Sequence, residues 1–169
     1  VEKTLKLVKE LKEKKVFKEF SIGGGIAALY YIEPILTYDL DIFFIPIEDS
    51  IDVLTPVYSY LKKKGFKAKK DHVLIEGVPV QFIPAYNDLV KEAVQSSVEV
   101  KYGRIITRVL GLEYLIAVML QTYRPKDRER LVKVFEEAKI DLKLLKKILK
   151  SFGLFQKYVQ FKEKYFGEK

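Results

Sequence analysis

Leu5, Leu7, Val8 and Leu11 recur at helical spacing among lysines and glutamates, which predicts an amphipathic helix over Thr4–Lys15. The period then changes. Val16, Phe17, Phe20 and Ile22 predict a first strand over Val16–Ile22, delivered into the glycines Gly23–Gly25. Ala27-Ala28-Leu29-Tyr30-Tyr31 then reads as a helix near Gly25–Ile32, stopped by Pro34. Ile42-Phe43-Phe44-Ile45 is apolar at every position, as a strand covered on both faces requires, and a strand over Asp39–Ile45 is expected.

Ile51, Leu54, Val57, Tyr58 and Leu61 return to helical spacing as far as Lys64, with Asp49 or Ser50 as the expected cap and Gly65 as the stop. His72–Glu76 and Val80–Ile83 read as a hairpin turned at Glu76-Gly77. Tyr86–Val94 reads as a helix capped by Asn87, and Val98–Leu110 as an extended pair turned at Gly103. Leu112–Leu120 is a buried helix in which Met119 fills core space. Three more helices follow: Arg130–Ala138, a segment capped by Asp141 that runs to Lys150, and Leu154–Phe166 with an aromatic face set between lysines. The order predicts an α/β (α+β) fold, a mixed sheet flanked by helices with a helical C-terminal region. Residues 1–110 would form the α/β core, and residues 111–169 the helical region packed on it.

Composition narrows this picture. A chain of 169 residues, 49% apolar, can bury one core. With no cysteine, disulfides and thiolate metal sites are excluded. No uncharged apolar run reaches the ~18–20 residues of a spanning helix, and Val1–Lys15 is too charged for a signal peptide. A cytoplasmic protein with no membrane association is expected. The formal net charge of +8 favours polyanionic partners. The densest basic run is Lys62-Lys63-Lys64 with Lys67, Lys69 and Lys70, which reads as a solvated helix end or as an RNA contact. Abundant Lys and Glu without Cys or Trp has a thermophilic cast. The lone His72 has no second histidine to pair with.

Candidate chemistry gathers in Ser21–Ile45. On a strand, Asp39 and Asp41 share a face about 6–7 Å apart. Two like charges at the mouth of a buried strand repel unless a cation lies between them, and a hard divalent ion with oxygen ligands answers that need. The glycine turn offers backbone N–H groups to an anion. One stretch thus combines a phosphate seat with a metal seat, the pair that a nucleoside triphosphate with Mg²⁺ requires. Further along, Tyr123-Arg124-Pro125-Lys126-Asp127-Arg128 sets three cations at a helix start, where they suit phosphates, with Asp127 able to orient one of them.

These residues resemble the signature of the nucleotidyltransferase superfamily in its AbiEii-like minimal form. The Gly-Gly pair falls on Gly24-Gly25, the hydroxyl residue on Thr37 and the Asp-x-Asp on Asp39-Leu40-Asp41. The resemblance implies that Asp39 and Asp41 are catalytic and hold Mg²⁺ (or Mn²⁺). It implies that Gly24, Gly25 and Thr37 seat the triphosphate, and that Arg124, Lys126 and Arg128 balance its charge. The position of the family's third carboxylate falls on Gln81, or on Glu76 if the register shifts. The implied function transfers a nucleoside monophosphate from a nucleoside triphosphate to an acceptor, RNA or protein. An antitoxin-like partner protein, as in a toxin–antitoxin pair, is also implied. The alternative is a catalytically impaired nucleotide- or partner-binding module on the same fold.

Overall fold

The apolar run Ile42–Ile45 lies in the middle of the sheet. The structure is a computed structural model and describes residues 2–32 and 39–167. Its elements in chain order begin with α1 (Glu2–Glu13), β1 (Phe17–Gly23), α2 (Gly24–Tyr31), β2 (Leu40–Pro46) and α3 (Thr55–Lys63). Then come β3 (Ala68–Lys69), β4 (His72–Ile75), β5 (Val78–Pro84), α4 (Asp88–Gln95), β6 (Val98–Tyr102) and β7 (Ile105–Val109). The chain closes with α5 (Leu112–Thr122), α6 (Pro125–Glu137), α7 (Leu142–Ser151) and α8 (Phe155–Phe166). Among the described residues the strands form one seven-stranded mixed sheet, ordered β3-β4-β5-β2-β1-β7-β6. β2 lies fourth, antiparallel to β1 and parallel to β5.

Alternation along the central strands separates two faces. Phe20, Ile22, Ile42 and Phe44 point one way, and α1 covers them with Leu5, Val8 and Leu11. Gly23, Asp41 and Phe43 lie on the other face with Gln81 and Ile83 of β5, against α5. α3 is tied to α1 through Tyr60, whose hydroxyl donates to Glu10 at 2.6 Å.

Two helix starts differ from the sequence expectation, each for a reason at the cap. α3 begins at Thr55 rather than near Ile51, with Leu54 at its N-cap position, and Asp52, rather than Asp49 or Ser50, bonds its first residue from ahead of the cap. Its carboxylate accepts from the Thr55 N–H at 3.1 Å and from the Thr55 hydroxyl. Pro56 suits that first turn, and Ile51, expected on the apolar stripe, stands fully exposed outside it. α6 begins at Pro125, five residues before the expected Arg130. Proline pre-sets the first helical φ, and the Asp127 side chain reaches back to accept from the Arg124 N–H at 2.9 Å. The basic stretch is therefore the first turn of a helix rather than a loop ahead of one.

The C-terminal helices close the core. Tyr158 and Phe161 of α8 are buried, and the Phe161 ring packs at a tilt against Phe135 of α6, 5.5 Å between centres. α8 also grips the corner between α5 and α6. Lys157 Nζ donates to the Gln121 carbonyl at 3.3 Å and lies 4.7 Å from the Tyr123 ring centre, while Phe161 meets the same ring edge-on at 6.5 Å.

Candidate functional site

The site starts from a backbone requirement. Gly24 opens α2 with φ of +59°, and a methyl group built on it would stand 2.1 Å from Asp41 Oδ2. Gly23 pairs with Asp41 across β1 and β2, and a Cβ there would meet the Phe43 ring at 2.2 Å. Only glycine allows the helix to start this close to the strand. Gly25 follows as the second residue of α2 and is buried. No side chain caps this helix, so its first N–H groups are left to water or to an anion.

Asp41 is only 5% exposed, and its Oδ1 is buried with no hydrogen-bond partner among the described residues. Burial pushes its pKa up, and the negative charge of Asp39 adds to that rise. Lys126, Arg130 and Arg124 oppose it in that order, so the cations of α6 face the carboxylate. Asp39 stands exposed one residue ahead of β2.

The cleft beside Asp41 measures about 260 Å³. Its walls are apolar side chains of β2, β5 and α5, among them Phe43, Ile83, Leu115 and Val118, with Met119 on the same wall and buried as expected. Its polar groups are Gly24, Asp41, Gln81, Tyr86, Thr122, Arg124 and Asp127. Gln81 is the direct partner of Asp41 on the parallel strand β5. A larger hollow of about 430 Å³ at the opposite end of β2, floored by Pro46, Ile47 and Tyr60, contains no comparable meeting of glycine turn, buried acid and cations.

Arg124 and Asp127 act as a unit. Asp127 is 1% exposed and accepts from the Thr122 hydroxyl at 2.8 Å, from the Arg124 N–H, and from the Arg124 guanidinium at 2.8 and 3.1 Å. Burial alone would raise the Asp127 pKa, but the bonds from Arg124 and Thr122 outweigh it and hold the carboxyl below its usual range. The pair keeps the Arg124 guanidinium, 44% exposed, on the rim of the cleft.

The chain is similar in three dimensions to proteins of known structure. A nucleotidyltransferase-like protein from Paracoccidioides brasiliensis, described as antigenic, superposes with a TM-score of 0.57 at 11% identity, over 98% of this chain and 95% of that one. The antibiotic-resistance factor ANT(2'')-Ia matches in its solution structure with a TM-score of 0.53 at 13% identity, over 98% and 96% of the two chains. Its crystal structure in complex with adenylyl-2''-tobramycin matches with a TM-score of 0.51 at 17% identity, over 95% and 96%. The fold is nucleotidyltransferase-like. No protein-family model matches the sequence, and neither does any curated protein.

On this nucleotidyltransferase-like fold the residues singled out from the sequence are distributed unevenly. Gly24, Asp41, Gln81 and Arg124 line one cleft, with Lys126 and Asp39 bearing on Asp41 electrostatically without lining it. Arg128 turns away, its guanidinium 5.3 Å from the Tyr123 ring centre. Glu76 sits in the exposed β4–β5 turn with φ of 50° and does not line the cleft. Thr37 lies outside the described residues. Among the described residues no three His, Cys, Asp or Glu side chains group closely enough to hold a metal by themselves.

Sequence reasoning missed Arg130. Its Nη1 is buried without a hydrogen-bond partner among the described residues, and its charge bears on Asp41 more than that of Arg124 does. The signal lay in Pro125. A helix begun there puts Lys126 and Arg130 four residues apart on one face.

Proposed function

We propose that the cleft binds a nucleoside triphosphate together with Mg²⁺ (or Mn²⁺) and transfers a nucleoside monophosphate to an acceptor. The observation that carries this reading is the buried Asp41 carboxylate, seated against the uncapped start of α2 and faced by Lys126 and Arg130. The N–H groups at Gly24 and Gly25 bind phosphate oxygens, while Lys126, Arg130 and Arg124 offset the charge of the triphosphate. The resemblance in sequence around Gly24-Gly25 and Asp39-Leu40-Asp41 supports the reading, as does the likeness to a protein seen with adenylyl-2''-tobramycin.

The donor set suits the metal. Mg²⁺ is held by one or two carboxylates and completed by waters and substrate phosphates, so a site of two acids needs no third protein ligand. Asp41 offers an unpartnered oxygen, and Asp39 a second carboxylate at the exposed edge. When bound, the ion supplies charge neutralisation at the phosphates and lowers the pKa of a coordinated oxygen.

A binding module without transferase activity is the second reading, and the amide of Gln81 in place of a further acid favours it. Calorimetric titration of Mg²⁺–nucleoside triphosphates into the native chain, Asp39→Asn and Asp41→Asn tests binding. Saturable binding is expected in the native chain and its loss in both variants. Equal binding by all three would defeat the reading. Asp41→Asn should at the same time raise thermal stability, by about 1 kcal/mol, because it removes a buried charge whose Oδ1 has no hydrogen-bond partner among the described residues. Transfer of label from an α-³²P triphosphate to RNA, to protein or to a co-expressed antitoxin-like partner then separates the two readings.

A further inference from the structure

Asp41 and Gln81 face the cleft as direct partners on parallel strands. Val80 and Phe82, on either side of Gln81, point into the core at 0% and 3% exposure, so the Gln81 side chain emerges beside Asp41. Its amide makes no side-chain hydrogen bond among the described residues. It therefore offers a free N–H donor to whatever binds next to Asp41.

An amide cannot take a proton from an attacking hydroxyl. Of the other polar groups of the cleft, Asp41 is taken up by the metal in the nucleotidyl-transfer reading, and burial raises the Tyr86 pKa so that its hydroxyl keeps its proton. Asp127 is committed through both oxygens to Thr122 and Arg124, and Arg124 stays charged. His72, the only histidine of the chain, pairs with Asp71 at 3.3 Å and does not line the cleft. A neutral hydroxyl acceptor must lose a proton as it attacks. An oxyanion has none to lose.

Building on the nucleotidyl-transfer reading, we propose that the acceptor is an oxyanion, a phosphate monoester or a carboxylate, received by the N–H₂ group of Gln81. A carboxylate at position 81 would repel such an acceptor, whereas the amide donates to it, and Lys126, Arg130 and Arg124 supply countercharge to the Asp41 side of the cleft. The step balances without a base. The acceptor oxygen forms a bond to the α-phosphorus, the bond from that phosphorus to the bridging oxygen of the β-phosphate breaks, and the electron pair leaves with pyrophosphate. No proton changes hands.

The test titrates inorganic phosphate, by calorimetry, into the full chain saturated with Mg²⁺ and a non-hydrolysable triphosphate analogue. Saturable phosphate binding is expected in the native chain. It should weaken about tenfold or more in Gln81→Glu and by a smaller factor in Gln81→Ala, each variant being measured at its own saturating concentration of analogue. Acetate titrated in the same way distinguishes a carboxylate acceptor from a phosphate. Equal phosphate affinity in the native chain and Gln81→Glu, or no saturable binding of either anion to the loaded native chain, overturns the proposal. Analogue binding without anion binding removes the proposal alone. Failure of the analogue to bind removes the nucleotidyl-transfer reading as well.

Discussion

Asp41 Oδ2 occupies the space that any side chain at Gly24 would need, at 2.1 Å from the position of a Cβ. Gly24 also holds a φ of +59° that side chains resist. Gly24→Ala should therefore cost about 1–3 kcal/mol in stability, through strain and displacement of the carboxylate. Triphosphate affinity should fall with it. Urea unfolding and calorimetry together check this, and a variant of native stability and affinity would contradict the contact.

Arg130 and Arg128 give opposite expectations despite lying two residues apart. Arg130 bears on Asp41 and has a buried Nη1 with no hydrogen-bond partner among the described residues, whereas Arg128 packs over Tyr123. Arg130→Ala should weaken triphosphate binding about tenfold, the scale of one charge-assisted contact. Arg128→Ala should leave it within about twofold. Titration of both variants with the same nucleotide decides the matter.

Asp127 links the cleft to the pH dependence of stability. Its carboxyl pKa is held below the usual value in the folded chain, so its contribution is complete above the unfolded value near 3.9 and is lost as pH falls through the lower folded value. Asp127→Asn should cost about 2 kcal/mol at neutral pH, and the gap to the native chain should narrow below about pH 4. Denaturation midpoints of the two proteins at pH 7 and pH 3 measure that narrowing.

Much of the fold was legible because its signals are local. The apolar block Ile42–Ile45, the Asn87 cap, whose side chain accepts from the Val90 N–H at 2.9 Å, and the Gly103 turn each specify one element. The family resemblance implied that Gln81 lies beside the acid strand, and the alternation of Val80 and Phe82 with Gln81 accounts for the face it takes. Two helix starts were misread where competing caps lie close together. Asp49, Ser50 and Asp52 all qualify by type, and only the approach of Thr55 selects Asp52. The cations of the cleft were half legible. Pattern alone grouped Arg124, Lys126 and Arg128, but which guanidinium faces Asp41 depends on how α6 packs against α2.

The grip of α8 on Tyr123 has a consequence for the far side of that corner. Tyr123 ends α5 in a left-handed conformation, with φ of 48°, and is followed at once by Arg124. Lys157 and Phe161 brace this bend from behind, as a buttress holds a wall it does not face. The orientation of the cationic rim is thus inherited from a helix that never meets the cleft. Substitutions in α8 should shift that rim while leaving every residue that lines the cleft unchanged.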